Sequence, residues 1–373
     1  MKPGTNPTRQ LHELGQSLWL DNITRDLIAS GTLARYIDEY SVTGLTSNPT
    51  IFHQAIKASS AYDASIRSKL ADGNRGGNRG GKSAESLFFD VAIEDLRQAA
   101  DLFMPVHERT AGVDGWVSLE VSPLLAYDTK TTLNEARELH GRAARRNLYI
   151  KIPGTKEGVP AIEEATFAGV PINVTLLFSA EQYQASADAY LRGIERRIAA
   201  GLSPDVASVA SVFVSRWDVA VAGKVPAELT NRLGIAVAQQ CYKAYCELLA
   251  SPRQQRVMNA GARPQRLLLA STGTKDPKAP DILYIQALAA PLTINTMPEN
   301  TLKAFADHGE LAAPMAADGG DSGAVLRDFA SAGIGEKALA AKLQEEGAAA
   351  FVKSWSELMA MIESKAAALE PAR

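Results

Sequence analysis

Eight short runs rich in β-branched and aromatic residues recur along this chain, and longer amphipathic helical patterns separate them. The runs cover 17–22, 42–48, 116–122, 148–153, 171–178, 208–217, 266–272 and 291–298. Alternating strand and helix implies parallel strands joined by crossovers. Eight such units predict a closed α/β fold, the (β/α)8 TIM barrel, over an open sheet. The rival, a doubly wound sheet, would carry a glycine-rich dinucleotide fingerprint after its first strand, and none follows 17–22.

The helical segments support this frame. In 179–200, Tyr183, Ala187, Tyr190, Leu191 and Ile194 form one apolar stripe. Segments 129–146 and 227–249 read similarly, and Gly169 and Gly201 sit where C-terminal caps belong. Three stretches depart from the repeat. Residues 49–115 are too many for one crossover and must hold two or three helices. Within them, 73–83 is a Gly/Asn/Arg tandem repeat that reads as a flexible loop. The Ala-, Glu- and Lys-rich tail, 321–373, reads as a helical extension packing on the barrel, reached through a Gly/Asp-rich loop at 312–323. The whole chain, 1–373, is then one barrel domain.

Composition narrows the function. The 373 residues carry 39 Lys+Arg and 42 Asp+Glu, a net charge of 39 − 42 = −3, so no overall positive field exists to attract nucleic acid or an anionic membrane. With 46% hydrophobic residues the chain can bury a large core. No apolar run approaches the ~18–20 residues that span a bilayer, and residues 1–9 lack the apolar stretch of a signal peptide. Cys241 and Cys246 are five apart and read as reduced thiols, which suits a cytoplasmic protein. The five histidines are scattered without metal-ligand spacing, so neither a metal nor a cofactor is expected.

The strands carry the functional signal. A strand covered on both sides should be almost wholly apolar, yet several here alternate. Ser118, Glu120 and Ser122 share a face, as do Tyr149 and Lys151, and Asn173 and Thr175. Trp19 and Asp21, Thr46 and Asn48, and Ser211 and Phe213 pair likewise. Any one strand-end Asn, Ser or Asp is ordinarily a turn former or helix cap. Polar interior positions at one depth on different strands, near their C-terminal ends, mark the place where barrels build active sites. Unpaired buried charge costs several kcal/mol, so Lys151, Glu120 and Asp21 should lie near one another.

A buried lysine among carboxylates and hydroxyls has one characteristic use. Desolvation favours neutral amine, which attacks a carbonyl to form a Schiff base. The protonated imine accepts the electron pair released when a neighbouring carbon–carbon bond breaks. Glu120 and Asp21 are the candidate acid/base groups, with a water held by Thr175. The residues alone therefore favour a Schiff-base aldolase-type enzyme.

The resemblance becomes specific at Thr46-Ser47-Asn48-Pro49-Thr50, Ser118-Leu119-Glu120-Val121, Leu148-Tyr149-Ile150-Lys151-Ile152-Pro153 and the segment from Ile172 to Ser179. These segments, in this order, resemble the signatures of transaldolase, and Ser211 to Asp218 resembles its phosphate-side segment. The similarity runs from about Leu18 to Thr274. It implies a pentose-phosphate-pathway transferase that moves a dihydroxyacetone unit from sedoheptulose 7-phosphate to glyceraldehyde 3-phosphate. Erythrose 4-phosphate and fructose 6-phosphate are the products. By that resemblance Lys151 is the Schiff-base lysine, Asp21 handles the C4 hydroxyl proton, and Glu120 and Thr175 position water. Asn48 and Asn173 then donate to the dihydroxyacetone hydroxyls, Ser211 and Phe213 wall the pocket, and Arg216 holds phosphate.

One departure concerns the segment Ala270-Ser271-Thr272-Gly273-Thr274-Lys275. Many family members place a second phosphate-binding Arg there. Here Ser271 matches and Lys275 must supply the charge, without arginine's bidentate fork; the variant resembles a longer bacterial branch. A decoy also occurs: Gly76 to Ser83 fits GxxxxGK[ST], but a phosphate loop needs a strand before it, and 61–71 reads as helix. Two rivals keep the barrel: simple aldol cleavage of fructose 6-phosphate, and a non-catalytic sugar-phosphate-binding barrel. The sequence does not decide between monomer and homodimer, although a barrel of this size can be a stable monomer.

Overall fold

The computed structural model describes residues 6–75 and 82–369. The eight expected strands are present: β1 (Ser17–Asp21), β2 (Val42–Thr46), β3 (Val117–Glu120), β4 (Leu148–Pro153), β5 (Ile172–Leu177), β6 (Ser208–Phe213), β7 (Gln265–Ala270) and β8 (Ile294–Met297). All pair in parallel, in the order β2-β1-β8-β7-β6-β5-β4-β3. A parallel bridge between Gly44 and Trp116 joins the two ends. Leu45 N–H donates to the Trp116 carbonyl at 3.0 Å, and Gly115 N–H to that of Thr43 at 2.8 Å. The sheet is therefore a closed (β/α)8 barrel.

The seam between β2 and β3 is narrow for a local reason. A Cβ on Gly44 would lie 2.6 Å from the Trp19 ring and 2.8 Å from the Trp116 carbonyl oxygen, so only glycine lets the strands meet there. The long crossover that follows β2 holds three helices, Pro49–Ala58, Asp63–Arg75 and Ala84–Arg109. The first is capped by Asn48, whose side chain accepts from Ile51 N–H at 3.0 Å. The repeat expected to be a loop over 73–83 is helical through Arg75, and residues 76–81 lie outside the described residues.

Other boundaries shifted for identifiable reasons. The helix expected over 227–249 breaks into a short turn, Ala227–Leu229, and the helix Leu233–Ala250. Asn231 adopts φ 60°, and the buried Asp218 carboxylate accepts from Leu233 and Gly234 N–H, starting a new helix. The helix from Thr129 stops at Ala143 because Ala144 turns left-handed. Strand β6 ends at Phe213 rather than running on, since Ser215–Val221 is helical.

The barrel interior is layered. Low in the barrel, the Trp116 and Tyr149 rings stack at 4.1 Å and Trp19 lies 6.1 Å from Tyr149. Each such buried ring contributes on the order of 4–6 kcal/mol of transfer free energy, as an upper bound. Above them lies a polar layer. The C-terminal helix, Glu336–Leu369, crosses this upper end. Its buried Ala340, Leu343, Gly347, Phe351, Trp355, Leu358 and Ile362 recur at three- and four-residue spacing, one stripe along the helix. Trp355 meets Phe88 edge-on at 5.2 Å, and Gln344 Nε2 donates to the Gly154 and Leu176 carbonyls at the ends of β4 and β5.

Candidate active site

Strand register assembles the centre. Glu120 on β3 is the direct neighbour of Lys151 on β4, which is the neighbour of Asn173 on β5. Asp21 on β1 neighbours Thr46 on β2. Inward-pointing side chains at these positions must converge on the barrel axis. Lys151 is 5% exposed; its Nζ lies 3.1 Å from Glu120 Oε2 and donates to the Ser47 carbonyl at 3.0 Å. The charges expected to cluster do so.

Burial dominates the electrostatics of both carboxylates. It pushes the Glu120 carboxyl above its usual range, and the neighbouring Lys151 charge pulls only partly against it. Asp21 is likewise raised by burial, with Lys151, the Thr46 hydroxyl and Lys275 pulling down. Thr46 Oγ1 lies 2.8 Å from Asp21 Oδ1 and 2.7 Å from Thr296 Oγ1, so the Asp21 side chain is fixed from one side. Glu120 Oε1 and Thr175 Oγ1 are buried without a hydrogen-bond partner among the described residues, and Glu120 Oε2 has only its ion pair with Lys151.

A cavity of about 110 Å³ opens above this layer. Of the residues singled out in the sequence, Asp21, Asn48, Lys151, Thr175, Ser211, Phe213, Arg216, Ser271 and Lys275 line it. Two do not. Glu120 sits behind Lys151 as its ion-pair partner. Asn173 lies wholly buried, its Nδ2 donating to Ser118 Oγ at 3.1 Å and its Oδ1 accepting from Ser211 at 2.7 Å. In this state Asn173 ties β3, β5 and β6 together beside the pocket. Asn48 combines the bland reading and the functional one: its oxygen caps a helix while the residue borders the cavity.

Arg216 lies in the first turn of the helix after β6 and faces the cavity without a carboxylate within ion-pair distance among the described residues. Its guanidinium lies over the Phe213 ring at 5.2 Å and the Phe351 ring at 5.8 Å. Lys275 is exposed at the rim. Ser271 holds φ 55° directly after β7, and its Oγ is 2.9 Å from Ser215 Oγ. Such strain in a non-glycine residue is typical of binding sites.

Sequence reasoning missed Thr296 and Phe351, which also line the cavity. Thr296 was inside an expected strand, and its inward face was readable from alternation with Asn295 and Met297. Phe351 had no such signal, because it sits in an alanine-rich helix far along the chain. The phosphate-loop match finds a helix, Asp63–Arg75, where a strand is needed. Lys82 pairs with Asp90, and Ser83 caps the next helix. No group of three or more metal-ligating side chains occurs among the described residues.

Comparison with known proteins agrees with this geometry. Residues 18–362 match the family model described as Transaldolase/Fructose-6-phosphate aldolase. The chain is 43% identical to a transaldolase of Thiobacillus denitrificans, over 96% of this chain and 99% of that one. It is 44% identical to a transaldolase of Thermobifida fusca, over 97% and 99% respectively. It is also 38% identical to transaldolase 2 of a Nostoc species, over 98% and 99%. The chain belongs to the transaldolase/fructose-6-phosphate aldolase family.

Proposed function

We propose that this family member is a transaldolase that transfers a dihydroxyacetone unit from sedoheptulose 7-phosphate to glyceraldehyde 3-phosphate, through a Schiff base on Lys151. The observation that carries the reading is Lys151 Nζ, buried and 3.1 Å from Glu120, in a cavity that Asp21 also lines. The amine loses a proton toward Glu120 and attacks the ketose C2 carbonyl. The carbinolamine oxygen is protonated and leaves as water, giving the iminium. Glu120 Oε1 and Thr175 Oγ1 offer an acceptor and a hydroxyl, both buried and without another partner among the described residues, which together suit one mediating water.

Asp21 takes the proton from the C4 hydroxyl. The C3–C4 electron pair moves into the iminium, and erythrose 4-phosphate departs. The remaining enamine attacks the aldehyde carbon of glyceraldehyde 3-phosphate, and Asp21 returns its proton to the new hydroxyl. Hydrolysis releases fructose 6-phosphate and regenerates the amine. The raised Asp21 pKa suits a group that must both accept and donate in one cycle. Arg216 and Lys275 supply positive charge for the phosphate, and Asn48 supplies an amide donor toward the dihydroxyacetone hydroxyls.

Transfer, as against simple cleavage, requires that the enamine outlive the departing aldose without being protonated by water. Phe213 and Phe351 give the cavity apolar walls, and the Phe351 ring centre is 6.0 Å from Lys151 Nζ. We infer that the chain works as one unit, with 321–373 as part of the catalytic barrel. The substrates are small soluble sugar phosphates, which fits a cytoplasmic setting; no described helix is long and apolar enough to cross a membrane.

Borohydride trapping tests the reading. Incubation with fructose 6-phosphate followed by reduction should leave a dihydroxyacetone-sized adduct on Lys151 in the digested protein. A folded protein that yields no adduct would indicate a sugar-phosphate-binding barrel instead. Free dihydroxyacetone released at the turnover rate without an acceptor would indicate the cleavage reaction.

A further inference from the structure

We propose that Phe351, on the C-terminal helix, is a positioning residue for Arg216 and through it sets the preference for phosphorylated over unphosphorylated sugars. The proposal rests on the transaldolase reading and deepens it. Three residues on one face of that helix reach the barrel mouth. Gln344 donates to the Leu176 carbonyl at 2.9 Å and the Gly154 carbonyl at 3.0 Å, which fixes the helix against the ends of β5 and β4. Gly347, nearly one turn on, lets the backbone come close: a Cβ there would stand 2.9 Å from Leu176 Cδ2 and 3.3 Å from Arg216 Nη1. Phe351, one further turn on, is 4% exposed and turns its ring toward Arg216 and Lys151.

Arg216 has no carboxylate partner to hold it among the described residues. What touches its guanidinium are the rings of Phe213 and Phe351, at 5.2 and 5.8 Å. Ring contact leaves the N–H donors free for an anion, because cation–π attraction does not use them. It also restricts the long side chain before substrate arrives, which lowers the ordering cost that phosphate binding would otherwise meet. A carboxylate partner would do the opposite, neutralising the charge and occupying the donors. Phe213 comes from the barrel strand itself. Phe351 comes from a segment outside the eight strands, so the phosphate pole is completed by the helix rather than by the barrel.

The experiment compares two acceptors at saturating sedoheptulose 7-phosphate, with erythrose 4-phosphate release as the readout: glyceraldehyde 3-phosphate and unphosphorylated D-glyceraldehyde. For Phe351→Leu the ratio of their kcat/KM values should fall about tenfold, the loss expected for a partly desolvated cation–π contact. Most of the fall should be in KM for the phosphorylated acceptor. Phe351→Tyr keeps the ring and should restore the ratio. Gly347→Ala, which adds a methyl group against Arg216 Nη1, should lower the same ratio and serves if the Leu variant does not fold. A side chain that merely fills space would lower kcat/KM for both acceptors alike, with no rescue by Tyr, and that result overturns the proposal. Borohydride trapping on the unmodified protein separates the two levels. No adduct there sinks the transaldolase reading, whereas a normal adduct with an unselective Phe351→Leu variant sinks only the role of Phe351.

Discussion

At the N-terminal mouth of the barrel, Arg266 donates to the Val113 carbonyl at 2.9 Å, to Ser17 Oγ at 2.6 Å and to the Thr293 carbonyl at 3.1 Å. It also pairs with Asp114 at 3.2 Å, and Asp114 accepts in turn from Ser17 at 2.6 Å and from Trp19 at 3.4 Å. At the C-terminal mouth, among the described residues, Arg216 has no carboxylate within ion-pair distance, Glu120 has only Lys151, and Thr175 Oγ1 has no hydrogen-bond partner. The N-terminal end even has the larger hollow, about 570 Å³ lined by Val113, Tyr149, Met258 and Leu292, against about 110 Å³ at the other. Volume therefore does not single out the reactive end. What does is the gathering of buried Lys151 and Glu120 beside Asp21 at one cavity, since buried charge is costly and is concentrated where chemistry uses it.

If the two ends divide their work this way, substitutions should separate cleanly into those that abolish turnover and those that loosen the fold. The largest effect belongs to Lys151→Ala: turnover should drop to background and the borohydride adduct should vanish, while circular dichroism stays native. Appreciable residual activity would remove the Schiff base from the account. Next, Asp21→Ala should slow carbon–carbon cleavage by on the order of 10²–10⁴. Imine formation should survive, so that single-turnover trapping still labels Lys151. Equal loss of both steps would place Asp21 in imine formation as well.

The opposite mouth predicts the opposite signature. Asp114→Ala leaves Arg266 partly buried without its carboxylate and should lower stability to urea by about 3–5 kcal/mol. The kcat of the molecules that remain folded should match the unmodified protein. A parallel fall in kcat would mean that the two ends are coupled through the stacked aromatic layer.

The smallest effect probes a carboxylate beside the catalytic strand. Burial pushes Glu135 up to about 7 from 4.5, although it accepts from Ser122 N–H at 2.7 Å. A carboxyl raised in the folded state binds its proton more tightly there than in the unfolded chain. Its contribution is thus most favourable below about pH 4.5 and declines as pH rises toward about 7. Glu135→Gln, which keeps an acceptor for Ser122, should flatten urea stability across that interval. An unaltered pH profile would show that Glu135 titrates normally.

Much of this organisation is visible in the sequence, and the reason is period. Strand alternation has a repeat of two, so Lys151 between Ile150 and Ile152, or Glu120 between Leu119 and Val121, announces an interior polar position on its own. Register adds the rest, since neighbouring inward residues must converge. What stays hidden depends on contacts between distant elements. Phe351, Gly347 and Gln344 look like ordinary members of an alanine-rich helix, and only the packing of that helix against β5 gives them a role. The break at Asn231 is hidden for a similar reason, because the capping carboxylate of Asp218 lies on another helix. Asn173 shows the converse: its position was readable, but not its bonds to Ser118 and Ser211.

The C-terminal helix also bears on the order in which the molecule takes shape. Its bonds to the rest of the chain span long sequence intervals: 190 residues from Gln344 to Gly154, 304 from Ser354 to Thr50, and 306 from Lys365 to Ser59. Closing loops of that length is entropically unfavourable until other contacts have drawn their ends together. Most neighbouring strands of the barrel, by contrast, pair across single crossovers, the exception being the closing pair β1 and β8, which joins Ser17 to Ile294. Folding therefore favours the sequential strand pairs first, with barrel closure and its roof afterwards. An intermediate with β3 and β4 paired would already place Lys151 beside Glu120, yet it would not yet tell one sugar from another by its phosphate.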